Sequence, residues 1–256
     1  MGSFDTIILG LVEGATEFLP ISSTGHLIVV SQWLGLDQTA AQIAFEVIIQ
    51  LAAILAVFTT YSDKFTTKHI PLWIRIFIAF LPLAIIGFIF KDQIEALFLS
   101  TVIVPIMFIV GGVIFLVVEY FHTEQQETTL DMDDVTYRQA ILIGIAQVFA
   151  LVPGTSRAGA TIVGALLLGL NRKTSAEFSF LLALPVMGAT SGYQLLKNYS
   201  EFSGANWLAL GLGFVTAFFA AWLTMKLFIR FLESYTFVGF GIYRIVFGVL
   251  LLWLYN

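Results

Sequence analysis

Long apolar runs separated by short polar segments dominate the pattern of the chain. Six runs reach the roughly 20 residues that a helix needs to cross a bilayer core; they cover residues 40–61, 71–90, 101–120, 175–196, 207–229 and 236–254. Two further regions, 5–35 and 138–170, are apolar at both ends but interrupted by polar residues with proline and glycine. We predict that each of these two regions forms two short helices joined by a turn.

Irregular backbone at membrane depth persists only where protein or a water-filled cavity satisfies its polar groups. Both interrupted regions are therefore expected to be re-entrant hairpins. The predicted fold class is an all-α polytopic membrane protein with six transmembrane helices and two re-entrant helical hairpins.

The two hairpins also indicate an internal repeat. A shift of 134 residues aligns Ser22 with Ser156 and Gly25 with Gly159. The alternative is chance matching among small and aliphatic residues. We predict a single integral-membrane domain, 1–256, built of one repeat at about 5–120 and another at about 138–256. A hairpin followed by three spans makes an odd number of crossings, so the second repeat should be inverted relative to the first.

Composition agrees with a membrane protein. Of the 256 residues 59% are hydrophobic and 11% are charged, whereas soluble domains have about a quarter charged residues. The net charge of −5 argues against a nucleic-acid partner. Without cysteine the chain has neither disulfides nor thiolate chemistry.

Lysine and arginine predict the orientation. Only Lys91 and Lys197 fall on one side of the predicted arrangement, and the positive-inside rule makes the other, more basic side cytoplasmic. The more basic side has these residues: Lys64, Lys68, Arg75, Arg138, Arg172, Lys173, Lys226 and Arg230. Both termini and the mouth of the first hairpin should then face outwards.

Candidate chemistry in the first hairpin begins with Glu13 and Glu17, which share one face of a helix because they are four residues apart. Two carboxylates in a low-dielectric site need a shared proton or a cation between them, and a divalent metal is one such cation. The alternative is a helix at the membrane surface with a hydrated acidic face.

Ser22 and Ser23 are suitable N-cap residues for the next helix, whose N-terminus could also bind phosphate. His26, one turn on, is a candidate acid, base or nucleophile, or a structural histidine.

The second hairpin repeats this design with an arginine. Thr155 or Ser156 is expected to cap the helix, and Arg157 then lies in its first turn, where a cation opposes the helix dipole. A bound phosphate would compensate that charge, since the guanidinium fork suits phosphate oxygens. The alternative is an ion pair with a glutamate of the first hairpin. Thr161 could add a hydroxyl on the same face. Arg244 should pair with a glutamate or a helix end, and a role in substrate binding is the alternative.

If the repeat is inverted, the two hairpins converge on one pocket suited to a lipid-borne polyanion, and phosphoryl transfer needs little beyond positioning and charge stabilisation. The stretches "EGATEFLPISSTGHL" (13–27) and "PGTSRAGAT" (153–161) resemble the undecaprenyl-diphosphate phosphatase family of the bacitracin-resistance type, and the resemblance runs nearly end to end. It implies a multi-pass enzyme of the bacterial inner membrane that hydrolyses undecaprenyl diphosphate to undecaprenyl phosphate and inorganic phosphate, recycling the cell-wall carrier lipid. It also implies a divalent cation, Mg²⁺ or Ca²⁺, and a site facing the periplasm.

The resemblance and the residues together suggest three sets of functional positions. The expected catalytic residues are Glu13, Glu17, Ser23, His26 and Arg157. The expected substrate-binding residues are Ser22, Ser156, Arg157 and Thr161. The expected metal ligands are Glu13 and Glu17. The nucleophile stays open between His26, Ser23 and water.

Expected partners are a polyprenyl diphosphate and membrane lipids, with a homodimer as an open alternative. The rival function is a transporter or flippase of a lipid phosphate, because inverted repeats with discontinuous helices also build transporters.

Overall fold

The computed structural model describes residues 2–36, 39–97, 100, 102–122, 128–197 and 206–255. These residues form eleven α-helices and, among themselves, no β-strand. The helices are α1 (Ser3–Thr16), α2 (Ser23–Trp33), α3 (Ala40–Thr60), α4 (Ile70–Ile89), α5 (Lys91–Leu97), α6 (Ile103–Phe121), α7 (Tyr137–Gln147), α8 (Arg157–Leu167), α9 (Arg172–Lys197), α10 (Trp207–Leu232) and α11 (Val238–Tyr255). The predicted all-helical class is confirmed for the described part of the chain.

Five helices are long and apolar enough to cross a membrane, and they match five of the six predicted spans: α3, α4, α6, α9 and α10. The sixth predicted span also forms an apolar helix, α11, but its apolar part, Val238–Leu254, is shorter than the other five. The molecule is therefore a helical membrane protein with several spanning helices.

The two interrupted regions each form two short helices separated by a turn. Their helices have 14, 11, 11 and 11 residues, too few to cross a bilayer core singly. Each turn ends in a serine with left-handed backbone, Ser22 at φ 68° and Ser156 at φ 74°. Within the described residues no other non-glycine position has a positive φ. The two turns thus share an unusual conformation at positions 134 residues apart.

The first short helix of each interrupted region packs against a helix from the other half of the chain. Helix α1 lies along α10, and α7 lies along α4. Glycines permit this close approach: a Cβ at Gly14 would overlap the Ala217 carbonyl, and one at Gly144 would overlap the Ala79 carbonyl. Close backbone contact at small residues is a usual way for helices to associate in membranes.

A buried ion pair joins three helices at one end. Arg172 donates to both carboxyl oxygens of Glu119, over 3.1 and 2.7 Å, and the Phe237 N–H donates to one of them over 2.8 Å. These contacts connect the end of α6 to the starts of α9 and α11.

Two groups of charged residues connect the loops. Asp133 accepts from Lys64 over 2.7 Å and pairs with His69 over 3.0 Å. Burial opposes ionisation of Asp133, but its hydrogen bonds with Lys64 and His69 outweigh burial and lower its pKa. Elsewhere, Lys91 and Lys197 each approach Glu95 at 3.9 Å.

We predict that Gly144→Ala lowers the free energy of unfolding by about 1–3 kcal/mol, because the new methyl group overpacks the contact with α4. The matched control is Gly188→Ala on α9, where a Cβ would meet nothing within 4 Å. That control should be neutral or stabilising by up to about 1 kcal/mol, since alanine favours helix. Thermal unfolding in detergent measures both, and equal melting temperatures would contradict the packing argument.

Candidate active site

The first turn brings a hydroxyl to a carboxylate. Glu17 follows α1 directly and keeps its helical bond, donating its N–H to the Glu13 carbonyl over 2.9 Å. Ser23 begins α2 beyond the turn, and its hydroxyl donates to Glu17 Oε2. A serine hydroxyl becomes an effective nucleophile when a general base is in hydrogen-bond contact, and Glu17 is in that position.

Arg157 joins the second turn to the first. Its Nη2 donates to Glu17 Oε1 over 3.2 Å and its Nη1 to the Ser179 carbonyl over 2.9 Å. The structure therefore contains the ion pair between Arg157 and a glutamate of the first hairpin, the predicted alternative to a bound phosphate. One donor remains, because Arg157 Nε is buried and has no hydrogen-bond partner among the described residues. The guanidinium is thus held in place by two hydrogen bonds, and its Nε–H has no partner of its own within the described part of the chain.

Glu13 is the least satisfied group of the site. It is fully buried, and neither carboxyl oxygen has a hydrogen-bond partner in the described part of the chain. Its charged neighbours are Glu17, Glu46 and Arg157. An unpaired carboxylate with no water around it is costly, so this position calls for a proton or a cation.

The carboxylates fit a hard divalent cation. Glu13 and Glu17 lie one turn apart, as predicted, and Glu13 has two oxygens free for coordination. The described residues contain no group of three or more His, Cys, Asp or Glu side chains arranged as metal ligands. Magnesium is commonly held by one or two carboxylates, with waters and substrate phosphate oxygens completing its coordination. The donor set here suits that kind of site.

His26 lies beside this network but points its ring elsewhere. Its Nδ1 is 2.8 Å from the Ser22 carbonyl, so Nδ1 carries the proton, because a carbonyl only accepts. Its Nε2 is 2.6 Å from the Tyr243 hydroxyl, and the ring stacks on Phe247 with centroids 4.7 Å apart. Both ring nitrogens are therefore engaged, and attack by His26 on a substrate would first require one bond to break.

The remaining predicted substrate residues mainly shape the backbone. Ser156 caps α8 by accepting from the Gly159 N–H over 3.0 Å. Ser22 occupies the corresponding N-cap position of α2, but its side chain makes no capping hydrogen bond. Thr161 donates to the Arg157 carbonyl over 2.9 Å and contacts the Ser179 hydroxyl at 2.7 Å. The prediction that a serine side chain caps both helices is thus right for α8 and wrong for α2, where the Ser23 hydroxyl turns to Glu17 instead.

Three contributors to the site come from distant helices. Sequence reasoning missed Ser179, which holds Arg157 and Thr161, and Tyr243, which holds His26. The signal available for both was a polar group in an apolar helix. Arg244 was expected to meet a glutamate or a helix end, but its hydrogen bonds go to backbone carbonyls, including those of Pro20 and Gly154 in the two turns.

Comparisons with known proteins identify the family of the chain. A family model described as "Bacitracin resistance protein BacA" matches residues 6–250. The chain belongs to the BacA family. Among curated BacA relatives, "Undecaprenyl-diphosphatase 2" of Pseudoalteromonas translucida is 66% identical over 98% of each chain. "Undecaprenyl-diphosphatase" of Sulfurimonas denitrificans is 62% identical over the whole of both chains, and its namesake in Methanococcus aeolicus is 51% identical over 98% of each.

We predict that Ser156→Ala destabilises this BacA protein by about 1 kcal/mol, the usual value of an N-cap hydrogen bond. Ser22→Ala is the matched control, because Ser22 has the same backbone conformation without a capping bond. Thermal unfolding of the two variants compares them directly. Equal losses would show that the cap contributes nothing.

Proposed function

We propose that this protein hydrolyses undecaprenyl diphosphate to undecaprenyl phosphate and inorganic phosphate, and so recycles the carrier lipid of cell-wall synthesis. The observation that carries the proposal is the contact of Ser23 and Arg157 with the two oxygens of one carboxylate, Glu17. Nucleophile, base and anion-binding cation are thereby assembled at one point. The full-length relatives named undecaprenyl-diphosphatases support the same reaction.

Substrate binding follows from the free donors of the second turn. Arg157 Nε would donate to the diphosphate, and the N-terminus of α8 adds backbone N–H groups and the positive end of its dipole. The predicted contributions of Ser22, Ser156 and Thr161 are best described as shaping these helix starts, since the hydroxyls of Ser156 and Thr161 already have intramolecular partners. The prenyl chain would leave this pocket for the apolar surroundings of a membrane.

Hydrolysis can proceed through a phosphoserine. Ser23 Oγ attacks the terminal phosphorus while its proton passes to Glu17, and the bond to the bridging oxygen breaks to release undecaprenyl phosphate. Water then attacks the phosphoserine while protonated Glu17 returns its proton to Ser23 Oγ, the bond between phosphorus and Oγ breaks, and the proton of the water leaves with the phosphate. Arg157 stabilises the negative charge of the phosphoryl oxygens in both steps. His26 would hold the start of α2 through the Ser22 carbonyl.

A divalent cation, Mg²⁺ or Ca²⁺, forms part of the proposal. Glu13 would hold it through its two oxygens, which lack other partners among the described residues. Glu17, one turn away, would be the second ligand outside the step in which it takes the Ser23 proton. The cation would neutralise charge on the diphosphate. Glu13 would then satisfy its buried carboxylate through the ion.

The proposed membrane arrangement has six spans, with α11 as the sixth, and two re-entrant hairpins in an inverted repeat of about 5–120 and 138–256 within one domain. Two observations support it: the left-handed serines lie 134 residues apart, and each first helix packs on the other half of the chain. We further propose the bacterial inner membrane, with the site facing the periplasm. Lys91 and Lys197 both lie near Glu95, which supports the prediction that these two lysines share the less basic, outer side of the protein. A homodimer remains a prediction.

We predict that the purified protein releases phosphate from a prenyl diphosphate in detergent, and that Ser23→Ala reduces release to background. Ser31→Ala, on the same helix but bonded to Gln42, should retain activity. Malachite-green detection with and without chelator measures release and its metal dependence. Transport of the lipid across liposomes without phosphate release would favour a carrier instead.

The same preparations identify the nucleophile. Quenching a reaction with labelled terminal phosphate in denaturing detergent at neutral pH preserves both phosphoserine and acid-labile phosphohistidine. It should trap phosphoserine in wild type and in His26→Ala, but not in Ser23→Ala. A phosphoenzyme that survives Ser23→Ala would point to His26. Absence of any phosphoenzyme would favour direct attack by water.

We predict that Arg157→Ala lowers kcat/KM by roughly 10²–10³-fold, the usual effect of losing one donor to the transition-state oxyanion. Arg157→Lys should recover little, since a single ammonium cannot contact Glu17, the Ser179 carbonyl and phosphate at once. Retention of most activity in the lysine variant would argue against the clamp. A cooperative thermal transition in each variant is the control for folding, since loss of the ion pair with Glu17 is itself expected to lower the melting temperature.

A further inference from the structure

Arg244 is the largest fully buried side chain among the described residues, and it lies in the middle of α11. Four backbone carbonyls accept from its guanidinium. Nη1 donates to Pro20 over 3.0 Å, and Nη2 donates to Gly154 and to Met107 over 2.9 Å each. A longer contact of 3.4 Å joins Nε to the Phe108 carbonyl.

The two turn carbonyls occupy equivalent places. Pro20 precedes the left-handed Ser22 by two residues, and Gly154 precedes the left-handed Ser156 by two. One planar guanidinium therefore bridges the two turns at matching positions. The turn carbonyls have no helical acceptor role, so in an apolar interior they need a donor.

The structure leaves space for this side chain and little more. A Cβ at Gly111 of α6 would overlap Arg244 Nη2, and a Cβ at Gly154 would come within 2.6 Å of the Val104 carbonyl oxygen. Gly154 also has φ 89°, which favours glycine. The guanidinium is thus enclosed by α6 and by both turns.

We propose that Arg244 is a positioning residue that sets the separation of the two turns, and through it the contact of Arg157 with Glu17, the carboxylate that also accepts from Ser23. It touches neither the carboxylates nor the nucleophile, and acts through the backbone of Pro20 and Gly154. Lysine cannot replace it, because one ammonium group cannot span carbonyls on three segments. The effect on turnover rests on the proposed function, whereas the effect on the turns does not.

The test is a double-mutant cycle between Arg244→Lys and Arg157→Lys. Displacing a reacting group by about 1 Å can cost roughly 100-fold in rate, and we expect a loss of that size from Arg244→Lys alone. In the Arg157→Lys background the further loss should be much smaller, because the clamp that Arg244 positions is already absent. If the rate loss of the double variant instead equals the product of the two single losses to within about twofold, Arg244 only stabilises the fold and the proposal is overturned.

The matched control is Arg172→Lys. It weakens the hydrogen bonds of a half-buried arginine that donates to Glu119 away from the turns. The rate loss in the double variant Arg172→Lys, Arg157→Lys should equal the product of the two single losses. If Arg244→Lys fails to fold, Gly111→Ala displaces the guanidinium with the arginine retained and should show the same coupling. Gly192→Ala, where a Cβ meets nothing within 4 Å, is the control for that substitution.

Hydrogen exchange supplies a readout that needs no activity. Arg244→Lys should accelerate amide exchange in residues 18–24 and 152–158 together, while Arg172→Lys should leave both segments protected. Acceleration in neither turn, or equally throughout the chain, would overturn the positioning role. If wild type released no phosphate, the proposed function would fail, but the exchange result would still decide the role of Arg244.

Discussion

Backbone groups that leave a helix inside an apolar environment must find partners within the protein, because no water is there to supply them. Two turns create this demand here, and buried side chains meet it. Arg244 donates to a carbonyl of each turn, His26 donates to the Ser22 carbonyl, and Ser156 accepts from an N–H at the start of α8. The groups that make the irregular backbone tolerable are therefore also the groups that fix the geometry of the site.

Buried charged groups also need partners within the protein. Glu17 is shared by a hydroxyl from its own turn and a guanidinium from the other, one on each carboxyl oxygen. In a medium of low dielectric constant such a contact is much stronger than at a surface, and an unpaired charge is correspondingly costly. Neither carboxyl oxygen of Glu13 has a hydrogen-bond partner among the described residues. The proposed divalent cation would offset this negative charge.

The two turns have the same backbone conformation at their serines but carry different functional side chains. Glu13 in the first half corresponds to Gln147 in the second, and both are fully buried. The first turn carries carboxylates and a hydroxyl that donates to one of them; the second carries Arg157 and a hydroxyl used as a cap. This division gives the halves opposite charge where they meet, so that electrostatic attraction favours the same approach that helix packing requires. A symmetric pair of turns would hold like charges in contact.

The length of apolar runs and the positions of helix-breaking residues are local properties of the chain. For that reason the sequence alone predicted the helical class, five of the spans, both turns, and the one-turn spacing of Glu13 and Glu17. The family resemblance in its motifs likewise required no coordinates. Local pattern did not reveal that Ser22 leaves α2 uncapped, that Tyr243 and Ser179 enter the site, or that Arg244 joins Pro20 to Gly154. These contacts join residues up to 224 positions apart. They exist only because packed helices bring remote segments within hydrogen-bonding distance, which no spacing along the chain encodes.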